Sequence, residues 1–143
     1  MSSVPTTTLR FAPDLTSLPP LLEAIEAFAA ENGLSARDTH AFILAIEELF
    51  ANTLLHSDPP ATSVEVLIHL EDGNVRARYS DDGAAFDPTQ LPSPDVTLPP
   101  DERHIGGLGI HLLRSTMSVF DYRREGAQNV TIFGKKQSVE DRV

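Results

Sequence analysis

Residues 41–56 read Ala41-Phe42-Ile43-Leu44-Ala45-Ile46-Glu47-Glu48-Leu49-Phe50-Ala51-Asn52-Thr53-Leu54-Leu55-His56. As a helix, this run is apolar almost all the way round, so it must be buried on most of its sides. The polar exceptions are ordered. Glu48, Asn52 and His56 follow Leu44 at intervals of four, which lines three polar groups up in one stripe. A carboxylate on a nearly apolar helix needs a partner or a chemical task. A water-filled groove, or capping of neighbouring backbone, would also satisfy the stripe. Glu47, beside it, reads as a solvated residue. Glu47, Glu48 and Asn52 also interrupt the run, and it is too short to cross a bilayer.

Working outward, Ser35 has the chemistry of an N-cap with Asp38 three residues on, so the helix is expected to begin there and run to about His56. A preceding helix is expected over residues 18–31, with Pro19 and Pro20 in its first turn and Asn32-Gly33 closing it. Before that, residues 6–12 carry Leu9 and Phe11 on one face and form a first strand, stopped by Pro13. After the long helix come two strands. Val64, Val66, Ile68 and Leu70 alternate with Glu65, Leu67 and His69; Val75, Ala77 and Tyr79 alternate with Arg76, Arg78 and Ser80. Glu71-Asp72-Gly73-Asn74 between them has hairpin-turn chemistry. The stretch that follows, to Ile105, holds 5 of the 11 prolines and is long for a loop in a compact domain. A third helix to about Met117 and two strands, near residues 119–124 and 129–135 and joined at Glu125-Gly126, complete the order β-α-α-β-β-loop-α-β-β. Hairpins dominate that order. The expected fold class is α+β, a two-layer α/β sandwich with a mixed, mostly antiparallel sheet and helices on one face.

Two further clusters carry possible chemistry. The first is Tyr79-Ser80-Asp81-Asp82-Gly83-Ala84-Ala85-Phe86-Asp87-Pro88. Strand phase puts Asp81 on the inward face with Val75, Ala77 and Tyr79, where a carboxylate can accept hydrogen bonds from an exocyclic amine. Asp82 points the other way. Gly83 allows positive φ or close approach of a ligand. The same three residues also suit an ordinary turn. The second cluster is Gly106-Gly107-Leu108-Gly109, flanked by Arg103 and Arg114. Glycines that open a helix leave free N–H groups at its positive end, which suits phosphate. No Gly-Lys-Ser/Thr follows, no strand leads in, and Leu112 stands where a dinucleotide fingerprint has its third glycine, so neither common phosphate-loop signature is met. A plain loop is the competing reading.

Together, in this order and spacing, the three clusters resemble the GHKL ATPase superfamily, and within it the anti-sigma-factor serine/threonine protein kinases of bacterial partner-switching systems. The resemblance covers residues 6–136, with 137–143 left as a short tail. Glu48-x-x-x-Asn52, with His56, resembles the N-box; Asp81-x-Gly83 with Phe86-Asp87-Pro88 resembles the G1 box; residues 106–113 resemble the G2 box. The resemblance implies ATP and Mg²⁺ as cofactors. Asp81 would bind the adenine amino group, with Gly83 beside it, and Asn52 would offer its oxygen to Mg²⁺. Gly106, Gly107, Leu108 and Gly109 would cradle the phosphates, residues 88–105 would be the ATP lid, and Arg103 would neutralise phosphate charge as the lid closes. Glu48 would be the general base. Ala85 replaces a second G1 glycine common in the superfamily. Asn129 stands where many relatives have Gly-Thr, which would remove a hydroxyl near the adenine.

The function so implied is a regulatory kinase that phosphorylates a STAS-type anti-anti-sigma partner and sequesters a sigma factor or comparable regulator. The alternative is an ATP-holding binding module of the same fold that transfers nothing. Family analogy adds homodimerisation through the side of the sheet that carries Leu9 and Phe11. Histidine phosphorylation is disfavoured because none of the five histidines precedes a glutamate. The 143 residues leave no room for the transducer domains of ATP-driven clamps. Bulk properties agree. The net charge of −10 opposes binding to a nucleic-acid backbone. The acidity is uneven, with 4 basic against 15 acidic residues in 1–100 but 7 against 6 in 101–143. The absence of cysteine excludes disulfides, thiol catalysis and Cys-ligated metals. With no targeting or membrane segment in view, a soluble cytoplasmic protein is expected.

Overall fold

A computed structural model describes residues 5–56, 58–90 and 107–136. The chain runs β1 (Thr6–Phe11), α1 (Leu18–Glu31), α2 (Ala36–His56), β2 (Val64–Glu71), β3 (Asn74–Asp81), α3 (Gly107–Thr116), β4 (Val119–Glu125) and β5 (Gln128–Lys136). Short 3₁₀ turns at Leu15–Ser17 and Pro88–Gln90 were not foreseen from periodicity. The five strands form one sheet in the order β1-β2-β3-β5-β4, and each ladder is antiparallel. The last strand in sequence therefore lies inside the sheet, between β3 and β4. Among the described residues no helix is long and apolar enough to cross a membrane.

Local chemistry sets the boundaries. Ser35 Oγ accepts the Asp38 N–H at 3.0 Å, the expected cap of α2. Pro19 and Pro20 occupy the first turn of α1. At its other end Gly33 takes φ 69° and Leu34 N–H reaches back to Ala29 O at 3.0 Å, a Schellman closure. The β2–β3 connection uses Asp72 at φ 52° and Gly73 at φ 78° as a two-residue turn, whose positive φ pair matches the twist of the strands.

The strand alternation then decides which face is buried. Val64, Val66 and Ile68 of β2 and Val75, Ala77 and Tyr79 of β3 are buried with Phe133 of β5. Against them pack Leu21, Ile25 and Phe28 of α1, Phe42, Ile46, Leu49 and Phe50 of α2, and Ile110 and Leu113 of α3. Each fully buried side chain of this size contributes roughly 1.5–3 kcal/mol of transfer free energy. Phe42 and Phe133 tie α2 to the sheet, with ring centroids 5.5 Å apart.

One charge is sealed into this layer. Asp38, in the first turn of α2, is 0% exposed, and Lys135 Nζ of β5 lies 2.8 Å from its Oδ1. The contact is an ion pair by distance, while neither carboxylate oxygen has a partner in hydrogen-bond geometry. The position at the helix N-terminus favours the negative charge. Lys135→Met strands that carboxylate and is expected to lower stability by about 2–4 kcal/mol, with Asp38→Asn added to it recovering more than half. Urea denaturation of wild type, single and double variants measures both values. A single-variant loss below about 0.5 kcal/mol would show that Asp38 does not depend on Lys135.

Candidate functional site

Cross-strand register builds the floor of the site. Val64, Asp81, Asn129 and Arg124 form one row across β2, β3, β5 and β4; Val66, Tyr79, Thr131 and Tyr122 form a neighbouring row two residues along each strand. Because side chains alternate faces, both rows point toward the helices. The C-terminal half of α2 lies over them, and residues 81–88 close one side. The resulting recess, open to solvent, is walled by Leu49, Asn52, Thr53 and His56 from α2. Tyr79 and Asp81 come from β3, Asn129 and Thr131 from β5, and Ala84, Phe86 and Pro88 from the loop. One end is apolar and aromatic, while the base is polar.

Asp81 is buried, on the inward face that strand phase requires. Its Oδ1 accepts the Gly83 N–H at 2.9 Å and Asn129 Nδ2–H at 3.0 Å, and its Oδ2 receives the Thr53 hydroxyl at 3.1 Å. Thr53 Oγ1 also lies 2.7 Å from the Tyr79 hydroxyl, and burial pushes the Tyr79 phenol well above its ordinary range. Asp82 faces outward and accepts the N–H groups of Thr62, at 2.6 Å, and Ser63, at 3.0 Å, as well as the Thr62 hydroxyl. The Thr62 bond, opposed by slight burial, holds its carboxyl below the usual range. It is a turn-forming residue, as its phase suggested. Positive φ, found at Gly33, Gly73 and Gly126, does not extend to Gly83. Of the two readings of that glycine, left-handed backbone is therefore not used.

On α2 the stripe divides. Asn52 is buried in the wall of the recess, and neither its Oδ1 nor its Nδ2 has a hydrogen-bond partner. Glu48, one turn earlier, does not line the recess itself; its Oε1 is buried and also unpartnered. Burial raises the Glu48 carboxyl from 4.5 to about 7. His56 is exposed and stacks on Phe86, ring centroids 4.4 Å apart and 3° from parallel. Two orphaned amide atoms and an orphaned carboxylate oxygen on one helix stripe are unusual in a folded chain. They suit a ligand that brings both acceptors and a cation. Among the described residues no group of three or more His, Cys, Asp or Glu could hold a metal by itself. A divalent ion here would need oxygens from the ligand as well as Asn52 Oδ1, the usual situation for Mg²⁺ with phosphates.

Of the glycine cluster, Gly107 and Gly109 form the first turn of α3, where backbone N–H groups have no helical partner. Arg103, Gly106, residues 91–105 of the expected lid, the 137–143 tail and the side chain of Leu108 lie outside the described residues. Arg114, expected to flank the glycines, donates to the Thr89 carbonyl and so anchors the 88–90 turn to α3. Several contributors escaped sequence reading. Nothing in the sequence pattern marks Thr53, which reaches the site through the packing of α2 on the sheet, or Thr131, which cross-strand register places beside Tyr79. Asn129 was expected to mark a lost hydroxyl; Thr131, two residues on, lines the recess, and Asn129 itself takes part in four hydrogen bonds.

Comparison with known proteins agrees with this fold. Residues 11–135 match the family model of the histidine kinase-like ATPase domain. Over 130 residues the chain is 29% identical to serine/threonine-protein kinase BtrW of Bordetella bronchiseptica, covering 89% of this chain and 92% of that protein. The crystal structure of the RsbU and RsbW domains of Rv1364c from Mycobacterium tuberculosis superposes with a TM-score of 0.65 at 15% identity. That match covers 93% of this chain but 32% of the other, and is a likeness of fold.

The raised Glu48 carboxyl has a thermodynamic signature. Its folded value, about 7, lies above its unfolded value, 4.5, so the folded chain holds this proton more tightly. Its contribution to stability is greatest below 4.5 and falls as pH rises to about 7. Glu48→Gln, which cannot ionise, should be more stable than wild type at pH 8. The gain is expected to be on the order of 1 kcal/mol after discounting for solvent screening at this half-exposed group, and to shrink as pH is lowered toward 5. Denaturant melts at the two pH values test this; a gain independent of pH would remove ionisation as its cause.

Proposed function

The chain belongs to the histidine kinase-like ATPase domain family, and from that premise we propose that it is an ATP-dependent serine/threonine protein kinase of the anti-sigma-factor type. Residues 6–136 form its catalytic domain. The observation that carries the proposal is the buried, unpartnered pair Glu48 Oε1 and Asn52 amide beside a recess floored by Asp81. The likeness to BtrW, named a serine/threonine-protein kinase, supports the choice of hydroxyl acceptor.

In this reading the apolar end of the recess takes the adenine ring, and Asp81 accepts a hydrogen bond from its exocyclic amine. The N–H groups opening α3, at Gly106, Gly107, Leu108 and Gly109, receive phosphate oxygens, with Gly83 and Arg103 as further contributors. Asn52 Oδ1 is the protein ligand for Mg²⁺, which when bound neutralises phosphate charge. Glu48 takes the proton of the attacking hydroxyl. A carboxyl near 7 is well matched to that task, ionised in a useful fraction at neutral pH yet more basic than an ordinary glutamate. The substrate is a serine or threonine on a STAS-type anti-anti-sigma protein, and a sigma factor or similar regulator is the second partner. β1, an edge strand, is available for pairing with a second copy.

Two substitutions separate binding from transfer. Asp81→Asn is expected to weaken ATP binding by roughly ten- to a hundredfold, since the loss of a charged acceptor at a buried polar contact costs about 1.5–3 kcal/mol. Unchanged affinity by calorimetry would break the adenine assignment. Glu48→Ala is expected to retain ATP binding and lose phosphorylation of the cognate partner by at least about a hundredfold. Retained transfer in a radiolabel assay would leave Glu48 without the base role, and absence of transfer in wild type with every co-purifying partner would favour the binding module.

A further inference from the structure

Asn129 makes four hydrogen bonds with one buried amide. Its Nδ2 donates to Asp81 Oδ1 at 3.0 Å and to the Ala84 carbonyl at 2.8 Å, while its Oδ1 accepts the Phe86 N–H at 3.0 Å and the Tyr122 hydroxyl at 2.6 Å. The orientation of the amide is not a matter of choice. A backbone N–H can only donate and a carbonyl can only accept, so Phe86 and Ala84 determine which end is oxygen. The N–H that remains must then face Asp81.

From this we propose that Asn129 is a positioning residue that sets nucleotide specificity by holding Asp81 in one orientation. The inference rests on the adenine reading given above. Asp81 has about four acceptor positions. Gly83 and Asn129 occupy those of Oδ1, while Oδ2 meets only the Thr53 hydroxyl, whose single proton is shared with the Leu49 carbonyl, which leaves acceptor capacity on Oδ2 for a ligand. Without the Asn129 amide, Oδ1 keeps only the Gly83 N–H and Oδ2 only the longer Thr53 contact, so the direction of the open position is less tightly fixed. The same side chain ties Ala84 and Phe86 to β5, so the loop that walls the recess and the carboxylate at its base are set by one residue. Arg124, opposite Asn129 in register, adds a bond from Nη1 to Gly83 O at 2.8 Å. The ligand chemistry that such an arrangement selects is a purine with an amine at the position facing Asp81.

The test compares ATP with purine riboside 5′-triphosphate, which lacks the 6-amino group, by calorimetry on the full chain with Mg²⁺ present. Wild type is expected to prefer ATP by roughly tenfold, the worth of a hydrogen bond to a buried ionised acceptor. Asn129→Leu, close in volume, should reduce that preference to about twofold or less, chiefly by weakening ATP. Tyr122→Phe removes one anchor of the amide from a part-buried position and should reduce the preference about threefold; it decides the matter if Asn129→Leu does not fold. A wild-type preference kept intact in the deciding variant, or an equal loss for both nucleotides, overturns the inference and leaves the adenine reading standing. A wild type that binds both nucleotides alike overturns the adenine reading and this inference with it.

Discussion

A carboxylate and an amide face each other across two neighbouring strands, and much of the site follows from that pairing. Asp81 at the end of β3 and Asn129 near the start of β5 are direct partners in the ladder, both buried. Neither could be buried alone without a penalty of kilocalories. Each solves the other's problem, and their leftover capacity is spent on residues 83–86, which have no regular ladder of their own. The loop is thus held at a defined height above the sheet. The hydrophobic core supplies most of the stability, but this polar pair determines where an opening can exist in an otherwise closed two-layer sandwich.

The groups left unsatisfied complement it. Asn52 and Glu48 break the rule that buried polar atoms find partners, and they do so on a helix that commits Phe42, Ile46, Leu49 and Phe50 to the core. Residues that violate local rules tend to be those reserved for function. The raised carboxyl of Glu48 records the same tension: the apolar surroundings that stabilise α2 also make its charge expensive. A helix built to be buried, carrying groups that would rather not be, is less stable than its sequence could allow and better prepared for a ligand.

Most of the fold was legible in the sequence because its determinants are local. The α2 cap at Ser35, the proline entry of α1, the turn at residues 71–74 and the alternation of β2 and β3 each involve a few adjacent residues. The inward phase of Asp81 and the stripe on α2 were readable for the same reason. What escaped depends on pairing distant segments. Thr131 and Asn129 enter the site through register with β3, and Thr53 through the height at which α2 crosses the sheet. Lys135 finds Asp38 across 97 positions of chain, with nothing nearby in sequence to announce it. Asn129 was read as an omission because comparison with relatives shows which group is missing, while only geometry shows what its replacement bonds to.

The strand order has a consequence for how the protein comes into being on the ribosome. β5 is the last described strand to be synthesised, yet it occupies an interior place in the sheet. Until it emerges, β3 presents an open edge, Asp81 lacks the amide beside it, and Lys135 is not there to neutralise Asp38. The nascent chain can bury much of the interface between its first helices and β1–β3, but the recess lacks part of its floor until the C-terminal hairpin inserts. A chain cut short before β5 would therefore lack the recess on which the proposed function depends, whatever the state of its first helices.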